Sequence, residues 1–124
     1  MLRNKSVIPT LPVVDLQRAR QFYEEKLGLG EPAVANDNEV QYSAGPGASL
    51  YLYRRDQSKA DHTAFAFLVE DVEQEVKELK DKGVVFEEYD MPELQTVNSI
   101  ASMGPHKSAW FKDTEGNIIA IASL

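Results

Sequence analysis

The sequence contains no cysteine, which excludes disulfides, thiolate nucleophiles and cysteine-based metal sites together. Basic residues are also scarce: 13 Lys and Arg stand against 20 Asp and Glu, for a formal charge of −7. Nucleic acid is therefore not an expected partner, because binding to phosphate backbones draws on a basic patch that is missing here. A charge of this sign steers cations instead. No segment approaches the roughly 18 consecutive apolar residues of a membrane span, so no membrane partner is expected. Met1 to Ser6 carries no apolar stretch followed by a small-residue cleavage site, and the expected location is the cytoplasm. A Ser-His-Asp order, a paired-carboxylate constellation and a phosphate-cradling glycine loop are absent too. Gly45-Pro46-Gly47 feeds no helix and reads as a hairpin turn.

What is present is one local pattern written twice. An apolar run from Val7 to Val14 leads into Asp15, a helix-period segment with Leu16, Ala19, Phe22, Tyr23 and Leu27, and then Gly28. A second run, Thr63 to Val69, leads into Asp71, a segment with Val72, Val76 and Leu79, and then Gly83. The two aspartates lie 56 residues apart in a chain of 124, nearly half its length. Both stand where a helix N-cap is wanted, and Gln74 three residues after Asp71 has capping-box spacing. With 43% apolar residues the chain is sized for a single domain, 1–124, whose two copies share one core or exchange partners between chains. Module one is expected over 1–54, a polar linker over 55–61 and module two over 62–124.

Pro9 and Pro12 remove ladder N–H groups from the first strand, which places it at a sheet edge. Val40 to Ser43 and Ser49 to Tyr53 read as antiparallel strands separated by turn signals. His62 to Val69 is a nearly unbroken apolar strand, as expected for one covered on both faces. Val84 to Tyr89 reads as another strand, and Asp90 to Pro105 as a long irregular loop of the kind that is often functional. Ser108 to Phe111 resumes strand character, Asp113 to Asn117 is a tight turn, and Ile118 to Ala122 closes the chain. Each copy therefore reads β-α-β-β-β, an α+β fold of two βαβββ modules.

In its order of motifs the chain resembles the vicinal oxygen chelate superfamily, the glyoxalase/bleomycin-resistance/dioxygenase fold. The matching stretches are Val13-Val14-Asp15-Leu16 with Phe22-Tyr23 and Leu27-Gly28-Leu29, then Phe67 to Val72, and finally Trp110 to Ile119 with its Asp-x-x-Gly-Asn turn. The resemblance implies curved mixed sheets facing each other around a cleft, a homodimer, and a divalent metal held by His, Glu or Gln from four strands. Carried over one at a time, those ligand positions fall on Ile8, near Tyr51, and on Ala64 and Ala120. Ile8, Ala64 and Ala120 have no lone pair to give, so the usual metal site is not expected. No cofactor is expected, the alternative being a displaced divalent metal on His62, His106 and a carboxylate.

Tyr51 and Tyr53 alternate with Leu50 and Leu52, so the two phenols share one sheet face, where they can wall a ligand site or simply fill space. Trp110 is the sole tryptophan and reads as pocket wall or core. His62 can anchor a ligand, and His106 at the end of the long loop can act as a base, although solvated histidines explain both. Phe22, Tyr23, Phe65 and Phe67 are expected in the core, and Glu87, Glu88, Asp90 and Glu93 on a solvated rim. The ligand-binding set is thus Ile8, Tyr51, Tyr53, His62, Ala64, Trp110 and Ala120. It points to a metal-independent protein of the bleomycin-resistance type that sequesters an apolar or cationic-aromatic small molecule. The alternatives are a superfamily lyase, isomerase or dioxygenase with a displaced metal or a histidine base, and an accessory protein whose cleft only forms a dimer.

Overall fold

The computed structural model describes residues 1–123 and forms two compact units, Met1–Lys59 and the described residues from Ala60 onward. The first contains β1 (Thr10–Val13), α1 (Leu16–Gln21) continuing as a π-helical segment (Phe22–Lys26), β2 (Val34–Ala35), β3 (Glu39–Ser43) and β4 (Ser49–Arg54). Its sheet has the order β1-β4-β3-β2, with β1 parallel to β4 and the remaining pairs antiparallel. The second contains β5 (Thr63–Leu68), α2 (Val72–Asp81), β6 (Asp90–Met91), β7 (Leu94–Gln95), β8 (Ala101–Met103), β9 (His106–Lys112) and β10 (Ile118–Ala122). Its main sheet runs β5-β10-β9-β8, with β5 parallel to β10 and the rest antiparallel. The two units share one topology, as the doubled pattern predicts, and the fold is α+β with two four-stranded mixed sheets.

The repeated aspartates do the same job in both units. Asp15 Oδ1 accepts from the Arg18 N–H and Asp71 Oδ1 from the Gln74 N–H, each at 3.1 Å, from extended backbone. The capping box at Asp71 is half formed, because the Gln74 amide turns forward to donate to Glu78 Oε1 at 2.9 Å. Gly83 ends α2 at φ 92°, with its N–H on the Lys80 carbonyl and the Val84 N–H on the Leu79 carbonyl, a cap that glycine accepts at least cost.

Alternation along the strands assigns the faces of the first sheet. Leu11, Val13, Val40, Tyr42, Leu50 and Leu52 are buried, as are Leu16, Ala19, Phe22 and Tyr23 on the helical segment. Tyr23 stacks on Tyr42 at 6.3 Å. Where the helix widens to π geometry, Glu24 accepts from Arg20 Nε at 2.7 Å and from the Tyr42 hydroxyl at 2.8 Å. Burial would raise the Glu24 carboxyl, but these two donors outweigh it and hold the group below the usual carboxylate range. The Tyr42 phenol is pushed up, first by burial and then by its bond to Glu24. In the second unit Val72 and Val76 of α2 are buried, as are Ala109, Phe111, Ile119 and Ile121 of the sheet.

Several expectations are corrected. Only Thr10–Val13 of the first apolar run is strand, leaving Val7, Ile8 and Pro9 outside it, and β1 does lie at the edge of its sheet. β5 is also an edge strand and is not covered on both faces: Ala64, Ala66 and Leu68 are exposed, while Phe65 and Phe67 are half-buried beside Ile119 and Ile121. Its apolar run reflects small and aromatic residues at an edge, which composition does not separate from a central strand. Val84 to Tyr89 touches the sheet through a single bridge, Phe86 to Phe111, with Val85 exposed. Asp90 to Pro105 is ordered, for β6 and β7 form one hairpin, Val97 and Ile100 close a two-residue turn, and β8 pairs with β9 across Gly104-Pro105. Asn98 and Ser99 adopt φ 52° and 75°, the left-handed pair that such a turn demands.

The Asp-x-x-Gly-Asn turn closes β9 onto β10. The Asp113 carboxylate is buried and accepts from the Glu115 N–H, the Asn117 N–H and the Asn117 amide, each at 2.8 Å. Asp113→Ala leaves three donors short of an acceptor, so it is expected to cost about 1–3 kcal/mol of stability in thermal unfolding.

Candidate functional site

In each unit one sheet face carries the buried residues beside the helix, and the opposite, more open face carries mostly half-buried side chains, with Ala120 of the second sheet buried. On the first sheet the register Thr10↔Tyr51↔Gln41 and Pro12↔Tyr53↔Glu39 places these residues on the open face. Tyr51 and Tyr53 are brought together as expected, their rings 6.4 Å apart and within 17° of parallel. The Tyr51 hydroxyl donates to Glu39 Oε2, and this bond raises the phenol above the usual tyrosine range. Glu39 was not singled out from the sequence. The signal was available in the near-symmetric hairpin around Pro46, which pairs Ser43 with Ser49 and hence Glu39 with Tyr53.

On the second sheet Ala120 pairs with Ala66 on one side and Trp110 on the other, so two of the anticipated residues form one row. The Trp110 ring is half-buried and meets Tyr89 edge-on at 5.5 Å, 82° from parallel. Burial raises the Tyr89 phenol, with Glu87 adding to the shift. Ala120 is 4% exposed, whereas Ala64 is exposed at the point where the β5–β10 register slips. Ile8 lies before β1 at 48% exposure, its carbonyl accepting from the Thr10 hydroxyl at 3.0 Å.

The histidines do not converge. His62 precedes β5 with its side chain 76% exposed, its Nδ1 3.6 Å from Asp61. His106 is the exposed first residue of β9, opposite Met103. Thr63 aligns with Ile118 and Lys112, so the register puts His106 six residues along the sheet from the His62 end, about 20 Å at ~3.3 Å per residue. One ion cannot span that distance with bonds of roughly 2–2.6 Å, so the two histidines are not placed to share one. Among the described residues no three His, Asp or Glu side chains cluster as a metal set. Of the positions to which the resemblance carries the metal ligands, Ile8, Ala64 and Ala120 are aliphatic and have no donor to offer, so a metal site built on them does not fit.

The ordered segment after α2 bounds a groove of about 610 Å³, lined by Glu73, Glu93, Leu94, Val97, Ile100 and Met103 among others. Apart from the 90–105 segment itself, no residue anticipated for the site lines it. Glu73 is paired with Lys107, and Val97 and Met103 are largely exposed. Glu88 is exposed, as expected of a solvated rim, and it also ties the turn beside this groove. Its carboxylate accepts from the Ser99 hydroxyl at 2.6 Å, the Thr96 hydroxyl at 2.8 Å and the Ser99 N–H at 3.0 Å. These donors, Ser99 foremost, hold the Glu88 carboxyl below the usual range. Glu88 thus offsets the strain of a serine at positive φ.

The family model of the Glyoxalase/Bleomycin resistance protein/Dioxygenase superfamily matches residues 7–121, and the chain belongs to that superfamily. No curated protein matches it. Among solved structures, an integron cassette protein from the mobile metagenome of Halifax Harbour Sewage Outfall aligns with a TM-score of 0.74 at 22% identity, covering 98% of this chain and 99% of that one. Lactoylglutathione lyase from Agrobacterium tumefaciens aligns at 0.71 and 18%, covering 98% and 95%. TnmS3, an antibiotic binding protein from Streptomyces sp. CB03234, aligns at 0.70 and 20%, covering 99% and 98%. At these identities the likeness is one of fold.

Because the folded Glu88 sits below its unfolded value, its contribution is complete above the ordinary carboxylate pKa and is lost as pH falls through the lowered one. Protection of the Ser99 amide, taken relative to its intrinsic exchange rate, is therefore expected to fall in acid ahead of that of the sheet amides. Glu88→Gln is expected to lower that protection already at neutral pH, read by NMR.

Proposed function

We propose that this protein is a metal-independent small-molecule-binding protein that sequesters an apolar or cationic-aromatic compound. What carries the reading is the donor set: Ile8, Ala64 and Ala120, on which the family resemblance puts three of four metal-ligand positions, are aliphatic. The open sheet faces support it, with half-buried aromatic rings, Tyr51 and Tyr53 on one and Trp110 on the other. Aromatic surface of this kind binds flat ligands by stacking and gives little purchase for proton transfer. The antibiotic-binding neighbour shows that this fold can serve such a role. No described helix is long and apolar enough to cross a membrane. A cytoplasmic homodimer belongs to the same proposal; the exposed apolar Val7 and Leu68, 86% and 70% exposed, support the dimer.

A panel of planar aromatic compounds is expected to include members that quench Trp110 fluorescence saturably or raise the melting temperature, with a chelator changing neither. Tyr51→Ala with Tyr53→Ala is expected to weaken a ligand of the first face roughly tenfold in calorimetry. Stoichiometric metal in untagged protein, lost with His62→Ala, overturns the reading, as does a panel giving neither quenching nor thermal shift.

A further inference from the structure

We propose that Tyr51, Tyr53 and Glu39 form a recognition platform for a flat organic cation, with the Glu39 carboxylate selecting for charge. The inference rests on the binding role proposed above and narrows its ligand to one chemical class.

Three features of the first sheet carry it. The Tyr51 and Tyr53 rings are near-parallel neighbours, 6.4 Å apart, and so offer one extended π surface. The Tyr51 hydroxyl donates to Glu39 diagonally across the β3–β4 pair, while Glu39 lies directly opposite Tyr53. A phenol donating to a carboxylate draws negative charge toward its own ring, and a richer ring attracts a cation more strongly. The bond also raises the Tyr51 phenol, which keeps it a donor across the physiological range.

The surroundings decide the sign of the ligand. On the open face β1, β3 and β4 present Thr10, Pro12, Gln41, Ser43, Ser49, Tyr51, Tyr53 and Glu39, of which Glu39 alone is charged. Among the described residues no Lys, Arg or His forms an ion pair with it. Glu39 and both tyrosines are half-buried, so a molecule lying on the rings would meet the carboxylate with part of its water already removed. A neutral flat compound gains the stacking alone. An anion is opposed by the carboxylate and by the overall charge of −7.

The test compares N-methylquinolinium with its neutral isostere 1-methylnaphthalene by NMR titration, following the Tyr51 and Tyr53 ring signals. The wild-type protein is expected to bind the cation about tenfold more tightly, with added salt weakening the cation only. In folded Glu39→Gln the preference is expected to fall to within about twofold, with binding of the neutral compound unchanged. Tyr51→Phe, which keeps the carboxylate and loses the hydrogen bond, is expected to fall between the two. Equal binding of both probes by the wild-type protein overturns the cation platform and leaves the binding role standing. A preference that survives in Glu39→Gln overturns the assignment to Glu39. Silence of the ring signals to both probes overturns the platform, and the binding role falls separately if the wider panel is silent as well.

Discussion

Each unit is organised by the parallel pairing of its first strand with its last, β1 with β4 and β5 with β10. A chain that must return parallel to its starting strand cannot do so through a tight hairpin, so it crosses over through a helix and an antiparallel meander. The helix lies on one face of the sheet, and that face acquires the buried residues. The other face is relieved of packing against the unit's own helix. The division of labour between stability and recognition follows from this arrangement, and so do the alternating Leu and Tyr residues of β4.

The helix-side architecture was legible because it obeys short-range rules. Asp15 and Asp71 announced two N-caps, Gly28 and Gly83 two helix ends, and Asp113 with Asn117 a turn, and each needs only neighbours within a few residues. The family pattern rests on these same residues, which is why it could be read from order alone. Pro9 and Pro12 likewise marked an edge strand, since a missing N–H is a local fact.

What was not legible depended on partners distant in sequence. Glu88 looked like one more surface acid, yet it holds Ser99 and Thr96 eleven and eight residues away through geometry that no spacing rule reports. The two histidines were plausible partners until the strand register set them at opposite ends of a sheet. The apolar composition of β5 suggested double coverage, whereas only pairing reveals an edge. For the candidate site the aromatic residues were visible, but the carboxylate that accompanies them was hidden until β3 was aligned on β4.

The duplicated scaffold carries different furniture on its two open faces: stacked phenols with a carboxylate on the first, and alanines beside an indole on the second. Because these side chains lie away from the helix and its caps, they can be exchanged with little effect on the residues that specify the fold. A twofold repeat of this kind is a frame with two independently replaceable panels. New selectivity can arise by redecorating one panel while its sibling preserves the older one.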